Sequence, residues 1–258
     1  MKSLLILLLL GPPSLFAQSR FDGTWEMKME TIQLSGPPEE YLLQDGMYHC
    51  LTCVPKVDVK ADGSDQKVAG HPYFDTIAVR IVDANSVEFL NKKDGKPTFM
   101  ATETVARDGK TMVEEFSETP TEQKVTGHAT FVRISSGPAG SHALSGSWEM
   151  RTIRNLGSVG PTTTYQSTKD GLRESVGSAS FDAKFDGKDY PIIGDPAHGT
   201  VSLKRIDENT IEQTDKQVGK VIRVTRMTVS PDGKSMQVES TSTQRGKEST
   251  MTYTAEKQ

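Results

Sequence analysis

The chain writes one phrase twice. "DGTWEM" (22–27) and "SGSWEM" (145–150) carry its only two tryptophans. With Trp25 set on Trp148 the offset is 123, and past the first strand it becomes 124 and holds. Gly36-Pro37 then falls on Gly160-Pro161, Tyr41 on Tyr165, "VDVKADG" (57–63) on "FDAKFDG" (181–187), "VRIVDANSVE" (79–88) on "LKRIDENTIE" (203–212), and "TVARDGKTM" (104–112) on "TVSPDGKSM" (228–236). One offset kept across so many turn signals marks a tandem duplication, with the Gly-, Ser- and Pro-bearing "RISSGPAGSHALSG" (133–146) between the copies.

Within each copy the apolar residues recur every second position. Trp25, Met27 and Met29 alternate with Glu26, Lys28 and Glu30, and Ile77, Val79 and Ile81 share a face. Asp-Gly, Asp-Ala-Asn, Asp-Glu-Asn and Pro-Asp-Gly punctuate these runs and suit tight hairpin turns. No stretch reads convincingly as a helix. The apolar content is low, 34%, which suits antiparallel sheets with one face in water. The pattern predicts an all-β fold of about eight antiparallel strands per copy. The expected bounds are a first domain at 20–134, a linker at 135–144 and a second domain at 145–258, each copy folding separately.

Residues 1–17 read as a secretory signal peptide: Lys2 supplies the charge, Ser3 to Leu10 an apolar run, and Leu15-Phe16-Ala17 a cleavage site. The expected location is therefore periplasmic or extracellular. A formal net charge of −4 without a basic run makes nucleic acid a poor partner. No other segment is apolar enough for a membrane helix. Lys28, Arg80, Glu88, Lys204 and Glu212 make the strands too charged for a lipid-facing barrel, so an integral membrane protein is not expected.

A glycine followed by a strand-leading tryptophan resembles the opening of lipocalin and fatty-acid-binding-protein barrels. That resemblance implies a closed barrel with Trp25 and Trp148 as plugs at the closed ends. More widely, "FDAKFDGKDYPIIGDP…TVSLKRIDENTIE…GKVIRVTRMTVSPDGKSM" resembles a family of small secreted bacterial proteins with lipocalin-like barrels. Members share a Gly-Thr-Trp strand and a segment like Ser35-Gly36-Pro37-Pro38. The second copy fits over nearly its whole length. The first departs after Asp62-Gly63, where it reads "SDQKVAGHPYFD". The resemblance implies two tandem lipocalin-like barrels.

"MYHCLTC" (47–53) holds the only cysteines, Cys50 and Cys53. Export favours a disulfide between them. A redox-active pair and a metal site completed by His49, with His71 nearby, are the alternatives. The remaining histidines, His128, His142 and His198, show no metal-binding spacing, and no cofactor is implied. No nucleophile elbow or phosphate-cradling loop is present, so an enzyme is not expected. Glu114 and Glu115, adjacent on one strand, face opposite ways. Arg223 shares a face with Val221, Thr225, Met227 and Val229. Either that face is solvated or the arginine turns inward toward an acidic partner or ligand. Fatty-acid-binding barrels hold ligand carboxylates with interior arginine and tyrosine, so the resemblance makes Arg223, Tyr253 and Tyr165 the ligand-binding candidates. The expected function is non-enzymatic binding of a small apolar or amphipathic molecule. The alternative is a protein-interaction or inhibitor module with filled barrels.

Overall fold

The structure is a computed structural model that describes residues 19–119, 124–155, 161–243 and 247–258. The expected signal peptide lies outside the described residues. The fold is all-β, as the alternation requires, and consists of two nearly closed antiparallel barrels.

Barrel I contains β2 (Glu39–Gln44), β3 (Met47–Cys50), β4 (Val57–Lys60), β5 (Gln66–Lys67), β6 (Thr76–Ile81), β7 (Ser86–Lys93), β8 (Lys96–Val105), β9 (Thr111–Glu118), β10 (Val125–Ser136) and β11 (Gly146–Asn155). Its order is β4-β3-β2-β11-β10-β9-β8-β7-β6-β5. Barrel II contains β12 (Thr162–Ser167), β13 (Gly171–Val176), β14 (Ala179–Lys184), β15 (Tyr190–Pro191), β16 (Thr200–Arg205), β17 (Thr210–Gln217), β18 (Lys220–Val229), β19 (Ser235–Ser242), β20 (Ser249–Lys257) and, from the other end of the chain, β1 (Gly23–Ser35). Its order is β14-β13-β12-β1-β20-β19-β18-β17-β16-β15. Each sheet therefore has ten strands instead of about eight. The extra ones come from the region near 40–50, which is a hairpin of two strands, and from the two-residue β5 and its counterpart β15. The sheet edges almost meet. The Gly63 amide donates to the Val79 carbonyl at 2.7 Å in barrel I, and Ser180 and Ile193 exchange backbone hydrogen bonds at 2.9 and 2.8 Å in barrel II.

The barrels do not follow the repeats. Each tryptophan-bearing strand has crossed to the other copy: β1 lies between β12 and β20, and β11 lies between β2 and β10. The expected linker explains this exchange. Ser135 and Ser136 belong to β10, and residues 137–145 form the turn of a hairpin that pairs β10 with β11 from Gly127↔Asn155 to Ser136↔Gly146. A short turn makes that local pairing cheap in loop-closure entropy. With β11 in the slot beside β10, β1 is left to fill the equivalent slot of barrel II. There it pairs Trp25 with Lys257 and Met27 with Ala255. Barrel I is thus one contiguous stretch of chain, and barrel II is closed by the N-terminal strand.

Each tryptophan consequently packs in the barrel of the opposite repeat. Trp25 lies in a core with Phe21, Leu172, Leu203, Ile211 and Met236, and Trp148 in one with Leu43, Val79, Val87, Met112 and Phe131. Their indole N–H groups donate to the Phe21 and Leu144 carbonyls, each at 2.8 Å, so neither buried donor is orphaned. A cation covers each ring. The Arg133 guanidinium lies 3.9 Å from the Trp148 ring and donates to the Ser145 and Ala143 carbonyls, while Lys257 Nζ lies 4.9 Å from Trp25 and donates to the Arg20 carbonyl. The glycine of the repeated phrase is required here. Gly23 and Gly146 have φ of 126° and 128°, and a Cβ at Gly146 would fall 2.2 Å from the Ser135 carbonyl oxygen.

Candidate functional site

Away from the tryptophans, β1 leaves barrel II at Ser35, and Gly36-Pro37-Pro38 carries the chain to β2 of barrel I. A cleft of about 330 Å³ opens at this crossing. Leu34, Pro37, Met150 and Met251 give it apolar surface, Ser240, Ser242, Ser249 and Thr250 hydroxyls, and Glu39, Glu149, Arg223 and Lys247 charge. Both barrels contribute walls.

On the barrel II wall the three residues singled out by resemblance come together. Arg223 does turn inward, and its acidic partner is already in the protein. Its Nε and Nη2 donate to Asp215 Oδ2 at 2.7 and 2.6 Å. Asp215, 3% exposed, also accepts from Gln213 Nε2 at 2.9 Å. Burial disfavours the charge of Arg223, yet Asp215 outweighs it and holds the guanidinium above its ordinary range. Half of the Arg223 side chain, 52%, stays open to water in the cleft. Tyr165 hydrogen-bonds Glu174 and lies 3.2 Å from Met227 Sδ. Burial and the charge of Asp215 push Glu174 up to about 7, although Arg223 and the Tyr165 hydrogen bond oppose the shift. Burial and Glu174 raise Tyr253 to about 12. Tyr73, from the "SDQKVAGHPYFD" segment of the first repeat, feels Asp195, Arg223 and Asp215. That segment of the first repeat therefore reaches the neighbouring barrel.

The barrel I wall is acidic. Glu39 lines the cleft and accepts a short hydrogen bond from the Tyr41 hydroxyl. Glu103 on β8 stands directly opposite Glu114 on β9 and is 5% exposed. Burial raises Glu103 well above the usual carboxylate range, with the charges of Glu114 and Glu39 adding to the effect. Burial and Glu39 likewise push Glu114 to about 7. Sequence reasoning missed this pair because it weighed Glu114 against its neighbour Glu115. The working neighbour lies across the strand pair. A signal was present: Ala101, Glu103 and Val105 alternate on one face, so Glu103 is an acid in an apolar stripe.

The cysteines are joined to each other, and the Cys53 amide donates to Cys50 Sγ at 3.1 Å. His49, the neighbour of the inward Cys50, turns to the other face and bonds Asp58 Oδ1 through Nδ1 at 2.5 Å. His71 stacks on Phe74 with ring centroids 4.4 Å apart. The structure therefore does not gather Cys50, Cys53, His49 and His71 into a donor set. No group of three or more His, Cys, Asp or Glu side chains among the described residues is arranged to hold a metal.

Fold and site together define a pair of strand-exchanged antiparallel barrels with a mixed polar and apolar cleft between them. No family model matches the chain, and no curated protein matches it. Among solved structures the chain is similar to a double mutant of the vaccine antigen transferrin binding protein B from Haemophilus parasuis Hp5. The identity is 11% and the TM-score 0.23, with 88% of this chain and 44% of that chain covered. The chain thus spans less than half the length of that structure. No helix among the described residues is long and apolar enough to cross a membrane.

Proposed function

We propose that the protein is an exported, non-enzymatic binding protein of the lipocalin-like kind its sequence resembles, and that it takes a small amphipathic molecule in the cleft between its barrels. The observation that carries this reading is the state of Arg223. It is matched by Asp215 and half open to a cleft of about 330 Å³ that also presents Leu34, Met150 and Met251. Small-molecule sites combine such apolar walls with a few placed polar groups. The barrel cores themselves are filled by side chains, so the ligand belongs at the mouths and not deep beneath the tryptophans. Native mass spectrometry of protein purified from its own host tests the reading. A single small-molecule adduct at one equivalent is expected, reduced when Met251→Glu places a charge on the apolar wall. Protein that carries no adduct and binds none of a panel of alkyl amphiphiles contradicts it.

One observation favours the alternative of a protein-binding module. Leu51, inside the disulfide loop, and Val54, just after it, are 41% and 60% exposed beside a second cleft edged by Pro37, Pro38 and Pro55. Such exposed apolar surface suits a protein partner.

A further inference from the structure

Resting on the binding reading above, we propose that the cleft takes an uncharged headgroup bearing several hydroxyls, so that the ligand is an amphiphile of the alkyl glycoside class and not an ion. The cleft is the mouth of barrel II. Arg223, Ser242 and Ser249 stand directly opposite one another on β18, β19 and β20, and all three line it. They share the face that carries Met227, Val238 and Ala255 into the core. The next row inward on that face is Ser240, Met251 and Leu34, on β19, β20 and β1. Farther along β20 lies the tryptophan end, where Lys257 pairs with Trp25. A polar rim therefore stands above Leu34 and Met251, and Met150 of barrel I adds apolar surface. An amphiphile fits with its headgroup at the rim and its alkyl chain against these three.

The charges that line this mouth are largely answered within the protein. Arg223 is held by Asp215, Glu149 pairs with Arg151 at 2.7 Å, and Glu39 accepts from the Tyr41 hydroxyl. Lys247 has no ion pair among the described residues, but it is exposed at the lip and shares the cleft with Glu39 and Glu149. An anion entering beside Arg223 meets Asp215, Glu39 and Glu149. A cation meets Arg223 and Lys247. Either ion gives up hydration without gaining an unopposed counter-charge.

What the mouth leaves open is hydrogen-bonding capacity. Arg223 Nε and Nη2 both donate to a single oxygen of Asp215, so the guanidinium is fixed by one edge. Its Nη1 has no acceptor among the described residues, and the Ser249 hydroxyl has no partner among them. A guanidinium only donates, whereas a serine hydroxyl donates and accepts; sugar hydroxyls do both and match either. Neighbouring strands lie about 4.8 Å apart, so a rim three strands wide spans about 10 Å. A single hydroxyl cannot reach across that rim, but a ring carrying several can. The cleft of about 330 Å³ is at the small end of small-molecule sites, roughly 300–1,000 Å³, which suits one sugar ring with a short chain.

The test titrates the mature chain calorimetrically with n-octyl glucoside, n-octanol, n-octanoate, n-octylammonium and n-octylphosphocholine, each below its micellar concentration. Octyl glucoside should bind at one equivalent, at least tenfold tighter than the other four. Arg223→Lys keeps a cation for Asp215 but removes the open edge, and should weaken the glucoside at least tenfold while leaving octanol unchanged. Ser249→Ala, a milder change, should weaken it about threefold or more, again without effect on octanol. Tightest binding by any of the three charged amphiphiles, or equal binding by all five, overturns the glycoside proposal and leaves the cleft reading standing. So does glucoside affinity that both substitutions leave intact, because the sugar then sits elsewhere. Binding of none of the five overturns both readings.

Discussion

Barrels I and II share a strand plan but have opposite interiors. At positions that correspond in the repeat, barrel II has Glu174, Asp215 and Arg223 where barrel I has Cys50, Asn91 and Phe99. Barrel I has Glu103 and Glu114 where barrel II has Met227 and Val238. The frame demands only alternation, the closing glycine and the indole plug. The polar insertions are made separately in each copy. Barrel II answers its carboxylates from within, through the Arg223–Asp215 pair and Gln213. Barrel I leaves a Glu pair without an internal cation. A duplication has thus kept one scaffold and given the two barrels different interior polar groups.

The largest expected effect tests which barrel each tryptophan supports. Trp25→Ala and Trp148→Ala should each cost about 3–5 kcal/mol, as for a buried aromatic. Hydrogen exchange should place the damage of Trp25→Ala in β12–β20 and that of Trp148→Ala in β2–β10. Damage confined to the repeat that contains the substitution breaks the exchanged arrangement.

A smaller effect separates the interiors by pH. Glu114 and Glu174 have folded values near 7 against an ordinary 4.5. Each holds its proton more tightly when folded, so its contribution is fully present below about pH 4.5 and is lost as pH rises through about 7. The loss amounts to about 1–3 kcal/mol per group. Chemical denaturation at pH 5 and pH 8 should show it. Glu114→Gln and Glu174→Gln should each flatten the profile by a similar amount, the first through barrel I and the second through barrel II. A profile that either substitution leaves unchanged contradicts the buried placement of that carboxyl.

The smallest effect concerns the cysteines. The loop between Cys50 and Cys53 encloses only Leu51 and Thr52, so Cys50→Ser with Cys53→Ser should fall near the bottom of the usual range of about 0–5 kcal/mol. Barrel II, with Glu174 and Gly177 at those positions, manages without the bond. Thermal melts of the double variant should shift slightly. A collapse of barrel I would give the disulfide a larger role.

The sequence made the β-architecture legible because period two and turn chemistry are local. Tyr165, Tyr253 and Arg223 were within reach through the resemblance to fatty-acid-binding barrels, and the structure brings them near one another. What stayed hidden is non-local. Which strand fills the slot beside β12 depends on β11 having been taken by the hairpin at 137–145, a competition that no local pattern records. Asp215 as the partner of Arg223, and Glu103 as that of Glu114, follow from cross-strand register, which a single residue does not reveal. The same blindness made 135–144 look like a linker: Gly137, Pro138 and Gly140 suit a domain boundary and a hairpin turn equally well.

The exchange of β1 and β11 is the central claim, since it builds the cleft between the barrels. Fragment complementation tests it most directly. Residues 37–155 expressed alone should give a soluble β-rich domain that unfolds cooperatively, because they contain every strand of barrel I. Residues 161–258 alone should not, until a peptide of residues 19–35 is added and the Trp25 emission shifts to that of a buried indole. If residues 144–258 fold cooperatively without the peptide while 37–155 do not, each repeat closes its own barrel and the exchanged account is wrong.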